Sequence, residues 1–106
     1  MNEISDLLPT PYYAVIFTSL LTDPNNTYDE TAKRMVELAS QQEGFLGVDS
    51  VRDDIGITVS YWKNLESISA WKANAEHLIA QKKGHEEWYK KFTIRISRVE
   101  RNYGKV

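Results

Sequence analysis

Residues 12–20, Tyr-Tyr-Ala-Val-Ile-Phe-Thr-Ser-Leu, follow Pro9 and Pro11 and carry apolar side chains on both alternating faces. β-Branched and aromatic residues at that density predict a strand. Asp23-Pro24-Asn25-Asn26 then reads as a turn, and Thr27-Tyr28-Asp29-Glu30 has the spacing of a capping box, so a helix begins there. Tyr28, Ala32, Met35, Val36 and Ala39 fall on one stripe of that helix, with Lys33, Arg34 and Glu37 turned away. Gly44 follows a polar end, where a left-handed backbone is wanted. Phe45–Arg52 and Ile57–Trp62 read as two strands around an Asp53-Asp54-Ile55-Gly56 turn. In the second of these, Ile57, Val59 and Tyr61 share one face, and Thr58, Ser60 and Trp62 share the other.

Asn64 is placed to cap a short helix with Leu65, Ile68 and Trp71 inside, and Asn74 to cap another running to about Lys90. Phe92–Tyr103 alternates like a strand, but its apolar parity switches between Ile96 and Val99. That predicts either a bulge or a strand whose second half meets a different surface.

Strand, helix, strand, strand, helical region, strand is the split βαβ order: an α+β, ferredoxin-like βαββαβ fold with an antiparallel sheet and its helices on one side. The pattern predicts a single domain over 1–106, with its core at about 11–104. A sheet covered on one side normally has a polar second face. Here the first strand carries Tyr13, Val15 and Phe17 on one face and Ala14, Ile16 and Leu20 on the other. Nothing in the chain is left to cover the second face, so a second copy is expected to cover it, as a two-fold homodimer.

Composition narrows the chemistry. The 106 residues include no cysteine, which excludes thiolate catalysis, disulfides and cysteine-held metal clusters, and fits a reducing compartment. The N-terminus is acidic where a secretory leader needs a basic segment, and no apolar run approaches the ~18 residues of a membrane span, so a cytoplasmic, membrane-free protein is expected. A formal charge of −2, with basic clusters interleaved by acids, gives no electrostatic reason to bind nucleic acid.

Candidate chemistry lies in the second half of the chain, which holds all three tryptophans and both histidines. His77, Gln81, Gly84 and Trp88 fall on one helical stripe. His77 is either a proton acceptor for a bound phenol, given an ordinary pKa of about 6.5, or a surface histidine of an amphipathic helix. Thr58, Ser60 and Trp62 put hydroxyls beside a flat apolar plate, a mixture that suits a planar ligand, and Trp71 is close in sequence. Large aromatics also serve simply as core. His85-Glu86-Glu87 lacks the second histidine of a zinc-helix motif, so no metal site is expected. Nucleotide-binding and hydrolase motifs are missing as well.

At G-F-L-G-V-D-S-V-R-D, G-I-T-V-S-Y-W-K-N-L-E-S-I-S-A-W-K and H-L-I-A-Q-K-K-G-H-E-E-W-Y, the chain resembles the antibiotic biosynthesis monooxygenase (ABM) domain family, over nearly everything from Tyr13 to Tyr103. The resemblance implies a dimeric α/β barrel whose last strand reaches toward the partner. It also implies one of two activities: cofactor-independent oxidation of phenols or hydroquinones to quinones, or haem degradation. Trp62 matches the strand-ending tryptophan of the quinone-forming members, whose asparagine four residues earlier is Thr58 here. On the haem-degrading side, Trp71 matches the tryptophan above the porphyrin, the iron-ligating histidine is replaced by Gln81, and the first-strand asparagine falls near Phe17.

The resulting expectation is a monooxygenase with no cofactor acting on a small aromatic molecule. His77 or Thr58 handles the proton, and Trp62, Trp71, Phe17 and Gln81 contact the substrate. A non-catalytic dimeric binding module is the alternative, and haem degradation the third possibility.

Overall fold

The computed structural model describes residues 4–22, 28–81 and 88–105; the side chains of 28–31 and 77–81 lie outside the description. The elements run β1 (Tyr12–Leu21), α1 (Tyr28–Ser40), β2 (Phe45–Arg52), β3 (Ile55–Trp62), α2 (Leu65–Gln81) and β4 (Tyr89–Val99). The four strands form one antiparallel sheet in the order β2-β3-β1-β4. This is the α+β, ferredoxin-like arrangement that the pattern predicts.

Several local readings hold. Gly44 has φ of 87°, and the Asn64 side chain accepts from the Ser67 N–H at 2.8 Å, capping α2. The β2–β3 turn is tighter than expected: β3 already begins at Ile55, because Ile55 and Gly56 pair with Leu20 and Ser19 of the long first strand. Thr27, the expected cap of α1, lies outside the described residues.

Others need correction. Asn74 caps nothing; it sits inside a continuous α2 and donates to the Gln42 side chain at 3.2 Å. A polar residue that could cap a helix instead tethers α2 to the end of α1. Helix α2 is described to Gln81, residues 82–87 lie outside the description, and Trp88 is helical just before β4 starts at Tyr89. Strand β4 ends at Val99, short of Tyr103. Val36 and Leu65, both assigned to inner faces, are exposed.

Paired residues across an antiparallel sheet share a face, so the register sorts the side chains. Tyr13, Val15, Phe17 and Ser19 of β1 stand beside Trp62, Ser60, Thr58 and Gly56 of β3. Beyond β3 come Phe45, Val48, Ser50 and Arg52 of β2, and on the other flank Arg98, Ile96, Ile94 and Phe92 of β4. The helices cover this face. Ala39 of α1 and Ile68 of α2 bury Trp62 completely, with Tyr13, Val15, Phe45 and Trp71 around them. Cover thins toward the edge: Ile94 and Ile96 are about half exposed on β4.

The opposite face is not wholly bare, which corrects the expectation that nothing in the chain covers it. Residues 4–8 cross one end of it. The Ser5 N–H donates to Asp49 Oδ1 at 2.7 Å and the Ser5 hydroxyl to the Val48 carbonyl at 3.0 Å, while the Leu8 N–H reaches Asn102 Oδ1 at 3.4 Å. Tyr12 and Tyr61 meet edge to face beneath this segment, donating to Asn102 at 2.9 Å and Asp49 at 2.8 Å. Burial raises the Asp49 carboxyl, but the Ser5 N–H and the Tyr61 hydroxyl outweigh it and hold it below its ordinary range. Tyr61, desolvated and donating to that carboxylate, is pushed up to about 12. At the other end Val51, Ile55 and Ile57 stay exposed, at 68%, 56% and 41%.

The parity switch in the last strand follows from the same arrangement. No bulge lies between Ile96 and Val99; the register with β1 is unbroken from Val99 to Lys91, and its irregularity comes at Leu20/Leu21. Ile94 and Ile96 point to the helix side, whereas Val99 pairs with Tyr12 on the end covered by residues 4–8. The strand changes its apolar side where the covering layer changes side.

Candidate functional site

The helix-side face changes character along the strands. At the end where β3 stops, Trp62, Phe45 and Trp71 form an aromatic knot: Phe45 meets Trp62 edge-on at 5.4 Å, and Trp71 stacks on it at 6.2 Å with 21° between planes. The buried indole N–H of Trp62 donates to the Ser60 hydroxyl at 2.8 Å. The expected hydroxyl partner on that face is therefore present, but Trp62 has no exposed surface and belongs to the core. An indole packed from three elements supports a site from below and does not form an open wall. Trp71, half-buried, lies nearer the surface.

Two residues along, the hydroxyls of Thr58 and Ser50 are 2.8 Å apart, and either can donate. Thr58 pairs with Phe17, whose ring packs on Tyr89 at 5.4 Å and Phe92 at 5.7 Å. Thr58 and Phe17, separate candidates in the sequence, are thus neighbours on one floor of hydroxyls and rings. His77 and Gln81 lie on the last part of α2, and their side chains are outside the described residues. His85 and Gly84 are outside them altogether, and Trp88 is buried, with its carbonyl accepting from the Thr22 N–H at 2.9 Å.

Lys33, Ser50 and Arg52 are candidate site residues that the sequence reading missed. With Ala32, Gly56 and Thr58 they line a groove of about 260 Å³ between α1 and the β2–β3 hairpin. Arg52 pairs with Gly56, and its side chain crosses the glycine to Ser19 on β1, a residue only 3% exposed. One guanidinium nitrogen, Nη2, lies in close contact with Ser19 Oγ, and Nη1 donates to the Ser19 carbonyl at 3.4 Å. A Cβ on Gly56 would overlap that guanidinium. The signal was an arginine paired with a glycine beside a hairpin turn, and it becomes readable only when the register is known.

With this geometry in hand, comparison with known proteins is decisive on the family. The sequence profile of antibiotic biosynthesis monooxygenase (ABM) matches residues 11–83. The chain belongs to the ABM family. It is 47% identical over 103 residues to the uncharacterised protein YqjZ of Bacillus subtilis (strain 168), covering 95% of this chain and 90% of that one. Among solved structures, it resembles an asparagine-to-alanine variant of SnoaB, a cofactor-independent oxygenase from Streptomyces nogalater, with a TM-score of 0.73, 8% identity and coverage of 89% of this chain and 97% of that one. A Pseudomonas aeruginosa protein matches with a TM-score of 0.67 at 16% identity, over 89% and 97% of the two chains. At these identities the structural matches establish a shared ABM fold. Among the described residues of this ABM domain, no helix is long and apolar enough to cross a membrane.

Proposed function

We propose that this ABM domain is a cofactor-independent monooxygenase for a small phenol- or hydroquinone-like molecule bound on the helix side of the sheet. One observation carries the reading: the floor sets the Phe17 ring beside the paired Thr58 and Ser50 hydroxyls, flat apolar surface next to groups that hydrogen-bond a phenol. The SnoaB likeness supports the same chemistry by analogy.

In the reaction a phenol with a free para position takes up O₂. One oxygen atom becomes the second carbonyl of the quinone, and the other leaves as water. An ionised phenol is electron-rich enough to reduce oxygen itself, so the protein supplies a proton acceptor, a dry pocket and hydrogen bonds to the oxyanion. We assign His77 as acceptor and Thr58 as donor; with Ser50 donating to Thr58, the threonine proton is directed at the ligand. Phe17, Trp71 and Gln81 contact the substrate, and Trp62 braces the floor from within the core. Homodimer formation is part of the same proposal, supported by the exposed apolar end of the open face at Val51, Ile55 and Ile57.

One observation favours a non-catalytic binding module instead. Thr58 stands where quinone-forming relatives carry an amide, and its hydroxyl is engaged by Ser50. Haem degradation fits poorly. Gln81 is a weak axial ligand, and Phe17 brings a packed ring to a position where an amide is expected.

Quinone formation from simple phenols with a free para position, followed in protein stripped of metal and flavin, tests the reading. Turnover that falls by about a hundred-fold in His77→Ala and in Thr58→Val supports it. Quenching of tryptophan emission by the phenol without turnover assigns the binding module. Unchanged turnover in both variants removes His77 and Thr58 from the chemistry.

A further inference from the structure

The groove beside Thr58 has a chemistry that aromatic binding does not use. Lys33 approaches it from α1 and Arg52 from the end of β2, with the Ser50 and Thr58 hydroxyls on its floor, and no carboxylate lines it among the described residues. The nearest acids on the hairpin, Asp53 and Asp54, are exposed in the turn and are not among the lining residues. Two cations gathered at one place in a chain of net charge −2 run against the overall balance.

The guanidinium is also positioned. Gly56 leaves the space it occupies, and the almost fully buried Ser19 holds it by hydroxyl and carbonyl. Arg52 has contacts beyond these. A guanidinium carries five N–H donors in a planar fork, which lets an oxyanion join or exchange among its partners. At about 260 Å³ the groove is below the roughly 300–1,000 Å³ of whole small-molecule sites. It suits one end of a ligand, with the rest lying across Thr58 toward Phe17.

We propose that this groove is an oxyanion subsite and that the aromatic substrate carries a carboxylate or phosphate, held by Arg52 and Lys33 while its ring lies over Thr58 and Phe17. This rests on the aromatic-substrate reading and specifies the substrate class. Arg52 is a binding residue here, and Gly56 and Ser19 are positioning residues.

Titration of the full chain with hydroquinone, a dihydroxybenzoate, a hydroxyphenyl phosphate and inorganic phosphate tests it, followed by calorimetry. The expected result is at least about ten-fold tighter binding of one of the two charged aromatics than of hydroquinone. The preferred one identifies the anion. That preference should shrink in Lys33→Met, whose exposed side chain leaves folding intact, and in Gly56→Ala, which displaces the guanidinium without removing its charge. Equal affinity for neutral and charged rings overturns the inference and leaves the aromatic reading standing. Phosphate binding that needs no ring, and is lost in Lys33→Met, upholds the subsite and counts against the aromatic reading. A charged-ring preference that survives both substitutions overturns the assignment, and no binding of any probe overturns both.

Discussion

Trp62 and Ser60 are two residues apart on one face of β3, and the indole N–H of the first donates to the hydroxyl of the second at 2.8 Å. Because Trp62 is completely buried, Ser60→Ala leaves a donor without its partner inside the core. The expected cost is about 1–3 kcal/mol in chemical denaturation. Trp62→Ala, which also opens a cavity beneath Trp71, should cost about 3–5 kcal/mol. A Ser60→Ala protein as stable as the parent would show that the hydroxyl is dispensable to the core.

Gly44 separates two effects that usually coincide. Its φ of 87° disfavours any side chain, and a Cβ there would overlap the Ser67 hydroxyl at the start of α2. Gly44→Ala is expected to lower stability by about 1–2 kcal/mol from the backbone alone, with the overlap adding to it. The double variant Gly44→Ala with Ser67→Gly should recover only the overlap, since a Cβ on Gly44 would meet both the hydroxyl and the Cβ of Ser67. Full recovery on denaturation would mean that the backbone conformation costs little.

The contact of residues 4–8 with the open face should respond to pH in both directions. Asp49 has a lowered pKa when folded, so its contribution is complete above the ordinary value of about 3.9 and is lost as pH falls through the folded value. Tyr61 is raised from 10.0 to about 12, so its contribution is complete below 10 and is lost as pH rises toward 12. Denaturant titrations across pH should show both losses in the parent. In Asp49→Asn the acid-side loss attributable to this carboxylate should disappear. An unchanged acid limb in that variant would contradict its role.

The parts of the fold legible in the sequence were those governed by neighbours along the chain. Face alternation in β3, the Asn64 cap and the positive φ of Gly44 each depend on a few adjacent residues. What was not legible depends on distant pairs. Asn74 has the same local credentials as Asn64, and only the approach of Gln42 decides that it tethers helices instead of capping one. Ser5 meets Asp49 across 44 positions, and no local pattern marks residues 4–8 as cover for a sheet. In the candidate site, the mixed face of Thr58, Ser60 and Trp62 was readable from strand parity. The complete enclosure of Trp62 and the path of Arg52 over Gly56 to Ser19 were not, because both depend on register and on where the helices rest.

Assembly is tested on the open face. Ile57 and Val51 are paired across β2 and β3 and exposed together. Sedimentation should give a dimer at micromolar concentration for the parent, and the double substitution Val51→Lys with Ile57→Lys should give a folded monomer, since buried unpaired charge opposes association. A parent that sediments as a monomer contradicts the proposed homodimer.

The proposed activity is oxygen transfer to an aromatic ring without a cofactor. It is tested most directly by supplying isotopically heavy O₂ to metal-free, flavin-free protein with a phenol and weighing the quinone at early times. One heavy oxygen atom is expected in each product molecule, with the other recovered as water. A product free of the heavy isotope, or no product at all, would contradict it.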